Sequence, residues 1–394
     1  MNRYDFDSVI DRRGTYATKY DGLDQVFGRH DVMPLWIADL DFAVCPDIIA
    51  ALRHRIDHPV LGYSAAPDSY WESIINWQKH RHGFEIKREE MTFIPGVVKG
   101  IGYAINFFSN RGDKIVIQPP VYHPFRSVIE GNERIVAENP LIFDGETYTM
   151  DLKGLAEVIE REKHKMMILC NPHNPVGLQW SKETLQEVAR LCHNAGMVVV
   201  SDEIHGDLML GGRKRVPFVD VSDDARAVAI TLGAPSKTFN IPGLVSSWIV
   251  VKDEGLRRPF YHWLEVNEFS APVLISTIGA EAAYTHGEQW LDEMLAYVAG
   301  NIEFVNSFLK ENCPKVKAVM PEASFLVWLD FRGLGLCQKD LMNMLLEKAH
   351  LALNDGSMFG EQGVGFMRLN VGTPRCVLKE ALEHIAEAIK TVCG

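Results

Sequence analysis

From about residue 90 onward, short apolar runs alternate with amphipathic stretches of helical period. The predicted strands are Ile115–Ile117, Met166–Cys170, Met197–Ser201, Val228–Leu232 and Trp248–Val251. The predicted helices include Val97–Phe108, Lys182–Asn194 and Ala271–Tyr284. Strands that are apolar throughout and separated by helices indicate a mostly parallel sheet that is covered on both faces. The pattern therefore predicts an α/β fold.

The pattern changes after about residue 287. A long predicted helix, Glu288–Asn312, leads to the alternating strands Ser324–Phe331 and Gly365–Val371, and a final helix ends the chain. This order is typical of a smaller α+β domain. We therefore predict a large domain at residues 46–286 and a small domain at residues 287–394, which the N-terminal segment 1–45 joins.

Composition narrows the function classes. The 394 residues are 47% hydrophobic and carry a net charge of −12, which argues against nucleic-acid or anionic-membrane partners. The seven cysteines form no C-x-x-C pair, and Cys170 and Cys192 lie in or next to apolar segments, as expected of free thiols in a reducing compartment. The start of the chain has no apolar signal region and no apolar run approaches 18 residues. We expect a cytoplasmic globular protein.

Three polar groups follow predicted strands. Lys237 comes after Val228–Leu232, Asp202 ends Met197–Ser201, and Asn174 lies in the string N-P-H-N-P-V-G after Met166–Cys170. A lysine at such a position is costly to bury unless it is paired or used covalently. An amine, a carboxylate and an amide at three strand ends suit pyridoxal phosphate, which needs a Schiff-base lysine, an acidic partner for its ring nitrogen and a donor for its ring oxygen.

Each of these residues also has a structural interpretation. Asp202 is placed to cap the following helix, and Asn174 between two prolines is typical of a turn. A metal site formed by Asp202, Glu203 and His205 is disfavoured, because neighbouring side chains of a strand point in different directions. The combination of the three segments, more than any one of them, favours the cofactor.

Further segments supply a candidate phosphate site, an aromatic ring and a cation. Turn residues around Gly96 precede the predicted helix Val97–Phe108. The free N–H groups at its start, around Val98, suit a phosphate, Lys99 lies beside them, and Ser236 adds a hydroxyl. Tyr122 is placed either to stack on a flat ring or to pack its proline-rich loop. Arg368 on a predicted strand suits a carboxylate, although a surface arginine is the alternative.

These motifs resemble those of fold-type I pyridoxal-phosphate enzymes of the aminotransferase class I/II superfamily. The resemblance covers nearly the whole chain. It is strongest to the carbon–sulfur β-lyase branch, which the strings P-L-W-I-A-D-L-D-F at residues 34–42 and L-G-Y-S at residues 61–64 also match. The resemblance implies a large domain with a mostly parallel seven-stranded sheet, plus the smaller α+β domain.

The resemblance also implies a role for each matching position. Lys237 and Tyr122 would be catalytic, Tyr122 would stack on the cofactor ring, and Arg368, with Asn174 and Ala38, would bind the substrate. The remaining cofactor-binding positions would be Gly96, Val98, Lys99, Asp202, His205, Ser236 and, from the neighbouring subunit, Tyr63. The resemblance implies a homodimer with active sites at the subunit interface. It implies no metal site.

Two departures from the aminotransferase pattern bear on the reaction. His205 replaces a tyrosine three residues after the aspartate, and Val245 replaces a phosphate-binding arginine eight residues after the lysine. Both departures fit the lyase branch. The resemblance therefore implies a lyase that releases pyruvate, ammonia and a thiol from a small sulfur amino acid. An aminotransferase acting on a small or aromatic amino acid is the alternative, and a purely regulatory role is a third.

Overall fold

The computed structural model describes residues 3–161 and 163–393. The strands are β1 (Met33–Pro34), β2 (Met91–Ile94), β3 (Lys114–Ile117), β4 (Ile135–Glu138), β5 (Ile142–Phe143), β6 (Tyr148–Thr149), β7 (His164–Cys170), β8 (Val198–Asp202), β9 (Ala229–Gly233), β10 (Ser247–Val250), β11 (Lys317–Val319), β12 (Leu326–Asp330), β13 (Leu351–Ala352), β14 (Asn354–Asp355) and β15 (Phe366–Asn370). The helices are α1 (Thr18–Asp21), α2 (Leu23–Phe27), α3 (Pro46–Ile56), α4 (Asp68–His82), α5 (Val97–Phe108), α6 (Pro124–Gly131), α7 (Leu152–Arg161), α8 (Lys182–Asn194), α9 (Asp223–Val228), α10 (Pro235–Thr238), α11 (Glu254–Val266), α12 (Leu274–His286), α13 (Glu288–Asn312), α14 (Gln338–Asn343) and α15 (Arg375–Cys393). Within these ranges, none of the helices has the length and apolar character needed to cross a membrane.

A seven-stranded sheet forms the centre of the larger part of the molecule. Its strand order is β2-β10-β9-β8-β7-β3-β4, and β10 runs antiparallel to both of its neighbours while the other pairs are parallel. Its central strands β8 and β9 are buried along almost their whole length, because helices cover both faces. The predicted α/β fold with a mostly parallel seven-stranded sheet is confirmed.

A second, antiparallel sheet has the order β11-β12-β15-β14. It lies in the C-terminal part of the chain, as the alternating pattern predicts. The N-terminal segment reaches this part through β1, which pairs in parallel with β13 and aligns Met33 with Leu351. The pairing agrees with the predicted role of the N-terminal segment, while the exact domain boundaries stay a prediction.

Local sequence explains where the helices begin. Ser181 caps α8 by accepting a hydrogen bond from the Thr184 amide at 3.1 Å. The helix predicted at 271–284 begins instead at Leu274 and ends at His286. The reason is Pro272, which disfavours helical backbone at the residue before it, while Val273 is extended with φ −90° and ψ 134°.

Candidate active site

One cavity lies at the edge of the large sheet where the parallel strands end. It has a volume of about 180 Å³. Its lining residues are Ala38, Gly96, Val97, Val98, Tyr122, Cys170, Asn174, Asp202, Ile204, His205, Ser236, Lys237, Pro242, Val245, Ser246 and Ser247. Ligands bind at this edge in open α/β sheets, because the loops after parallel strands converge there.

The site residues follow the strands in spatial order. Gly96 and Val98 follow β2, Ser236 and Lys237 follow β9, and Asp202 ends β8. Asn174 follows β7 and Tyr122 follows β3 at the other end of the cavity. The two ends are thus chemically different: one is rich in hydroxyl and amide donors, and the other carries an aromatic ring and an amide side chain.

Lys237 stands in the short helix α10, with its amine partly buried. Its Nζ donates a hydrogen bond to the Ala38 carbonyl at 2.5 Å. The pKa of Lys237 is lowered to about 8. Burial is the main cause and the charge of Arg368 acts in the same direction, while Asp39 and Asp202 act to raise the pKa. A substantial neutral fraction of the amine near pH 7 suits a nucleophile or a base.

Asp202 is the buried carboxylate of the site. It is the register partner of Cys170 on the neighbouring strand, and its Oδ1 accepts a hydrogen bond from the Ile204 amide at 3.1 Å. Burial raises the pKa of Asp202 to about 7, and the adjacent Glu203 adds to this, whereas the Ile204 amide and Lys237 oppose it. A cationic ring nitrogen beside this carboxylate would relieve the cost of burying its charge.

Asn174 and Arg368 form a pair beside the cavity. The Asn174 Oδ1 accepts a hydrogen bond from Arg368 Nη1 at 3.1 Å, and Arg368 Nη2 donates to the Trp36 carbonyl at 3.1 Å and to Asn354 Oδ1 at 2.5 Å. The Arg368 Nε is buried and has no hydrogen-bond partner among the described residues. An unpartnered donor in a buried guanidinium is the observation that points to an anionic ligand.

An aromatic ring and an imidazole also line the cavity. Tyr122 lines the cavity, and burial raises the pKa of its hydroxyl. His205 is buried, and burial together with the charge of Lys237 lowers its pKa to about 3, so the imidazole is neutral at pH 7. Cys170, which the sequence predicts as a free thiol and not as a site residue, lines the cavity, and its Sγ accepts a hydrogen bond from the Asn174 amide at 3.4 Å. That contact helps to fix the Asn174 backbone.

The opposite end of the cavity offers hydroxyl and amide donors. Gly96, with φ +120°, precedes α5, so the first amides of that helix have no carbonyl partner within it. Ser246 and Ser247 line the cavity together with the predicted Ser236. The sequence did not predict these two serines, because the turn at Pro242–Leu244 separates them from Lys237 and only the folded chain brings them back to the cavity. The Lys99 side chain is exposed and does not line the cavity, which leaves only its backbone amide for the predicted role.

Tyr63 lies outside this cavity and is fully exposed in the single chain. Leu61 and Val60, in the same segment, are exposed to 67% and 63%. The predicted contribution of Tyr63 to a neighbouring subunit stays a prediction. An exposed aromatic beside exposed aliphatic side chains is typical of a surface that packs against another chain.

The donor set fits the predicted cofactor. Pyridoxal phosphate combines an aldehyde, a ring nitrogen that is a base, a phenolic oxygen and a phosphate. The cavity offers the Lys237 amine, the Asp202 carboxylate, the Asn174 amide, and the hydroxyls and helix amides of the other end. The Asp202 carboxylate and the unpartnered Arg368 Nε are buried polar groups that a charged ligand would satisfy.

A buried polar network lies behind the site. Asp207 accepts hydrogen bonds from Trp77 Nε1 at 2.9 Å, His82 Nε2 at 2.5 Å and Thr238 Oγ1 at 2.7 Å. Thr238 directly follows Lys237 in α10, so its hydrogen bond to Asp207 helps to fix the position of this helix. Sequence reasoning missed Asp207, because its partners are remote in the chain.

Glu203 accepts hydrogen bonds from a second group of buried donors. Its Oε2 accepts from Arg215 Nε at 3.0 Å and Arg215 Nη2 at 2.6 Å, and its Oε1 accepts from the Ser201 hydroxyl and the Phe218 amide. Both side chains of the ion pair are almost wholly buried. Glu203 therefore has a structural role at the end of β8, next to Asp202.

The segment 36–42 covers Lys237 and is fixed from several directions. Asn370 donates to the carbonyls of Ile37 and Asp39 at 2.7 and 2.6 Å. Asn240, three residues after Lys237, exchanges two hydrogen bonds with Leu40 at 2.9 Å each. The Ala38 carbonyl that meets the Lys237 amine is thus held in place by both the small sheet and the lysine loop.

Comparisons with known proteins show which chains this protein is similar to. Cystathionine beta-lyase PatB of Bacillus subtilis (strain 168) is 40% identical over 384 residues, covering 98% of this chain and 99% of that protein. Protein MalY of Escherichia coli (strain K12) is 33% identical over 391 residues, covering 99% and 100%. The crystal structure of cystalysin from Treponema denticola, which contains pyridoxal 5'-phosphate, matches with a TM-score of 0.94 at 32% identity over 99% of each chain. The chain matches the description "Aminotransferase class I and II" over residues 30–385, and it belongs to that family.

Proposed function

We propose that this protein is a pyridoxal-phosphate-dependent carbon–sulfur β-lyase. It takes an amino acid that carries sulfur at Cβ, and with one water it gives pyruvate, ammonia and a thiol. The observation that carries the proposal is the placement of the Lys237 amine and the Asp202 carboxylate in one cavity, with the Arg368 guanidinium beside it. The near full-length likeness to PatB and to cystalysin supports the reaction class.

The residues divide the work of binding and proton transfer. The bound cofactor supplies an electron sink for the charge that develops at the substrate Cα. Lys237 would hold the cofactor, and its Nζ is the group placed to remove the Cα proton. With a pKa of about 8, roughly a tenth of this amine is neutral at pH 7.

Asp202 and Asn174 orient the cofactor ring. The Asp202 carboxylate keeps a proton on the ring nitrogen, and Tyr122 packs against the ring. Arg368 binds the substrate carboxylate, because a guanidinium offers two parallel donors to a planar anion. Gly96, Val98, the Lys99 amide and Ser236 bind the phosphate, and Ser246 and Ser247 add two hydroxyls.

Pyruvate release separates the lyase from the aminotransferase alternative. Purified protein with pyridoxal phosphate is incubated with L-cystathionine, and pyruvate is measured with and without an added keto acid. We expect pyruvate, ammonia and thiol in equal amounts in both cases. A new amino acid formed from the keto acid, without release of pyruvate or thiol, would instead support amino-group transfer.

Two variants test the assigned residues. Lys237→Ala is expected to lose activity and the visible absorbance of bound cofactor. Asp202→Asn keeps the shape but removes the charge, and we expect kcat/KM to fall by about 100-fold or more. Arg13→Gln, on an exposed arginine outside the cavity, serves as the control. Full activity in Lys237→Ala would refute the proposal.

We also propose a homodimer in which Tyr63 of each chain reaches the phosphate in its partner's site. The exposure of Tyr63, Leu61 and Val60 supports this assembly. We further propose that residues 46–286 form the cofactor-binding domain and that residues 287–394 form the smaller α+β domain. Sedimentation of the wild type and of Tyr63→Ala tests the assembly, and a monomeric wild type would exclude it.

A further inference from the structure

The lysine and the carboxylate of the site are carried by two different loops. Asp202 ends β8, and Lys237 stands in α10 after the neighbouring strand β9. Within the part of the chain that the structure describes, one hydrogen bond joins the segment 203–208 to the segment 234–241. In this bond the Thr238 hydroxyl donates to Asp207 Oδ2 at 2.7 Å. The residue next to Lys237 is therefore tied directly to the loop that follows Asp202.

The helix α10 is too short to fix the lysine by itself. It has four residues, and two of its carbonyls accept backbone hydrogen bonds, Pro235 from the Phe239 amide at 2.9 Å and Ser236 from the Ile241 amide at 3.0 Å. A helix of this length is unstable without tertiary contacts, because nucleation costs more than so few bonds return. The position of the Lys237 backbone therefore depends on what holds the residues beside it.

Asp207 is a rigid partner for Thr238, and both residues are buried. Its other oxygen, Oδ1, accepts hydrogen bonds from Trp77 Nε1 at 2.9 Å and from His82 Nε2 at 2.5 Å, and both donors belong to α4. One oxygen thus fixes the carboxylate to α4, while the other holds the helix of the lysine. A buried acceptor held in this way keeps its position, because moving it would break charge-assisted hydrogen bonds.

The loop that carries Asp207 also carries two predicted cofactor contacts. Asp207 lies five residues after Asp202 and two residues after His205, and these two line the cavity. Between them the Gly206 amide donates to the Glu203 carbonyl at 2.9 Å, which closes a turn. Loss of the Asp207 contact would therefore let the lysine helix shift relative to the carboxylate without removing any side chain from the cavity.

We propose that Thr238 and Asp207 are positioning residues that fix the Lys237 amine relative to Asp202. Among the described residues, the lining of the cavity includes neither of them, so they act through the backbone of α10. The inference rests on the proposed function in one respect, that Lys237 bonds to the cofactor. A misplacement of about 1 Å can lower a rate by about 100-fold, so loss of this bond should slow the steps that use the amine.

Thr238→Val removes the hydroxyl and keeps the size of the side chain. In cofactor-free protein at pH 7, we expect the rate of covalent capture of pyridoxal phosphate, followed by stopped-flow absorbance, to fall by about tenfold or more. Thr238→Ser keeps the donor and should stay within about threefold of the wild type. Thr231→Val is the matched control and should leave the rate unchanged, because Thr231 in β9 is also buried and its hydroxyl has no partner among the described residues.

A cofactor analogue separates positioning of the lysine from general damage to the cavity. Pyridoxine 5'-phosphate has an alcohol in place of the aldehyde, so it can use the ring and phosphate contacts but cannot bond to Lys237. Its Kd for the cofactor-free protein, measured by calorimetry, should change by less than about threefold in Thr238→Val. A loss of its affinity as large as the loss of capture rate would overturn the proposal, and so would a Thr238→Ser variant as slow as Thr238→Val.

The holoenzyme provides the corresponding kinetic test. With L-cystathionine, Thr238→Val should lower kcat for pyruvate release by about tenfold to 100-fold and leave KM within about threefold of the wild type. The reason is that the Arg368 guanidinium and its bond to Asn174 are remote from the Thr238 hydroxyl in the hydrogen-bond network. A rise in KM with an unchanged kcat would contradict the assignment.

Asp207→Asn weakens the same bond from the acceptor side, so it provides the same measurements if Thr238→Val does not fold. Where both fold, the double variant should be no slower than the slower single variant, because the two changes remove one bond. Losses that multiply would overturn the proposal. A wild type that captures pyridoxal phosphate and releases pyruvate, with an unaffected Thr238→Val, refutes this inference alone. A wild type that does neither refutes the proposed function.

Discussion

Replacing Asp207 by asparagine removes a buried negative charge while keeping the shape of the side chain. In the native protein its two oxygens receive hydrogen bonds from Trp77, His82 and Thr238. Asparagine has one acceptor oxygen, so at least one of these donors loses its acceptor. Hydrogen bonds to a charged group contribute about 1.5–3 kcal/mol each, and breaking a buried charged pair costs about 3–5 kcal/mol. We expect Asp207→Asn to lower the free energy of unfolding by about 3 kcal/mol.

Urea unfolding of the cofactor-free protein at pH 7, followed by far-ultraviolet circular dichroism, measures this loss. With a slope of roughly 3 kcal/mol per molar urea, the midpoint should fall by roughly 1 M. Asp220→Asn is the matched control. Asp220 also has a short ion pair, at 2.6 Å from Lys252, but keeps 29% of its side-chain surface exposed, so its loss should be about 0–1 kcal/mol.

The pH dependence of the difference follows from the same carboxylate. Burial acts to raise the pKa of Asp207, but the hydrogen bond from His82 and the charge of Arg215 outweigh it and hold the pKa well below the ordinary value. A lowered carboxyl pKa gives stability that is present above the ordinary pKa of about 4 and is lost as the pH falls toward the folded value. The gap between wild type and Asp207→Asn should stay constant from pH 7 to 5 and shrink below about pH 4. Equal midpoint shifts for Asp207→Asn and Asp220→Asn at pH 7 would refute the reasoning.

Two further predictions concern single residues of the site. Because the pKa of Lys237 is lowered to about 8 and the neutral amine is the nucleophile, the rate at which cofactor-free protein takes up pyridoxal phosphate covalently should rise about tenfold per pH unit up to pH 8 and then level off. Stopped-flow absorbance measures it, and a rate still rising at pH 10 would contradict the assignment. Val245 adopts left-handed backbone at φ 54° and ψ 48°, so Val245→Gly should raise the free energy of unfolding by about 1 kcal/mol. Val273→Gly, at an exposed valine with extended backbone, should lower it, and a loss in both variants would contradict the strain argument.

Much of the fold could be predicted from local pattern. Helices α5, α8 and α13 have the bounds that their apolar periodicity predicts. The sequence-based assignment missed β2 and β4, which have four residues each and lie at the two edges of the sheet. In β4 the apolar run Ile135–Ala137 is only three residues long and its side chains are partly exposed, so it is a weak signal for a strand.

In the candidate site, too, residues marked by a local sequence pattern could be predicted, whereas contacts between distant parts of the chain could not. Lys237, Asp202 and Asn174 could be recognised because each follows an apolar strand, and parallel strands end at one edge. The Arg12–Asp39 ion pair, whose carboxylate acts on the pKa of Lys237, could not be predicted, since it depends on how the N-terminal segment folds over the rest of the chain. Periodicity carries no signal for contacts of that kind.

The order of the strands in the large sheet also bears on how such a site changes through descent. The predicted contacts with the cofactor are carried by separate strand–loop connections: one follows β2, another β9, and others β8, β7 and β3. A mutation or insertion in one connection alters one contact, while the buried strands keep the others in register. Selection can therefore change phosphate binding, the ring contacts or proton transfer one at a time.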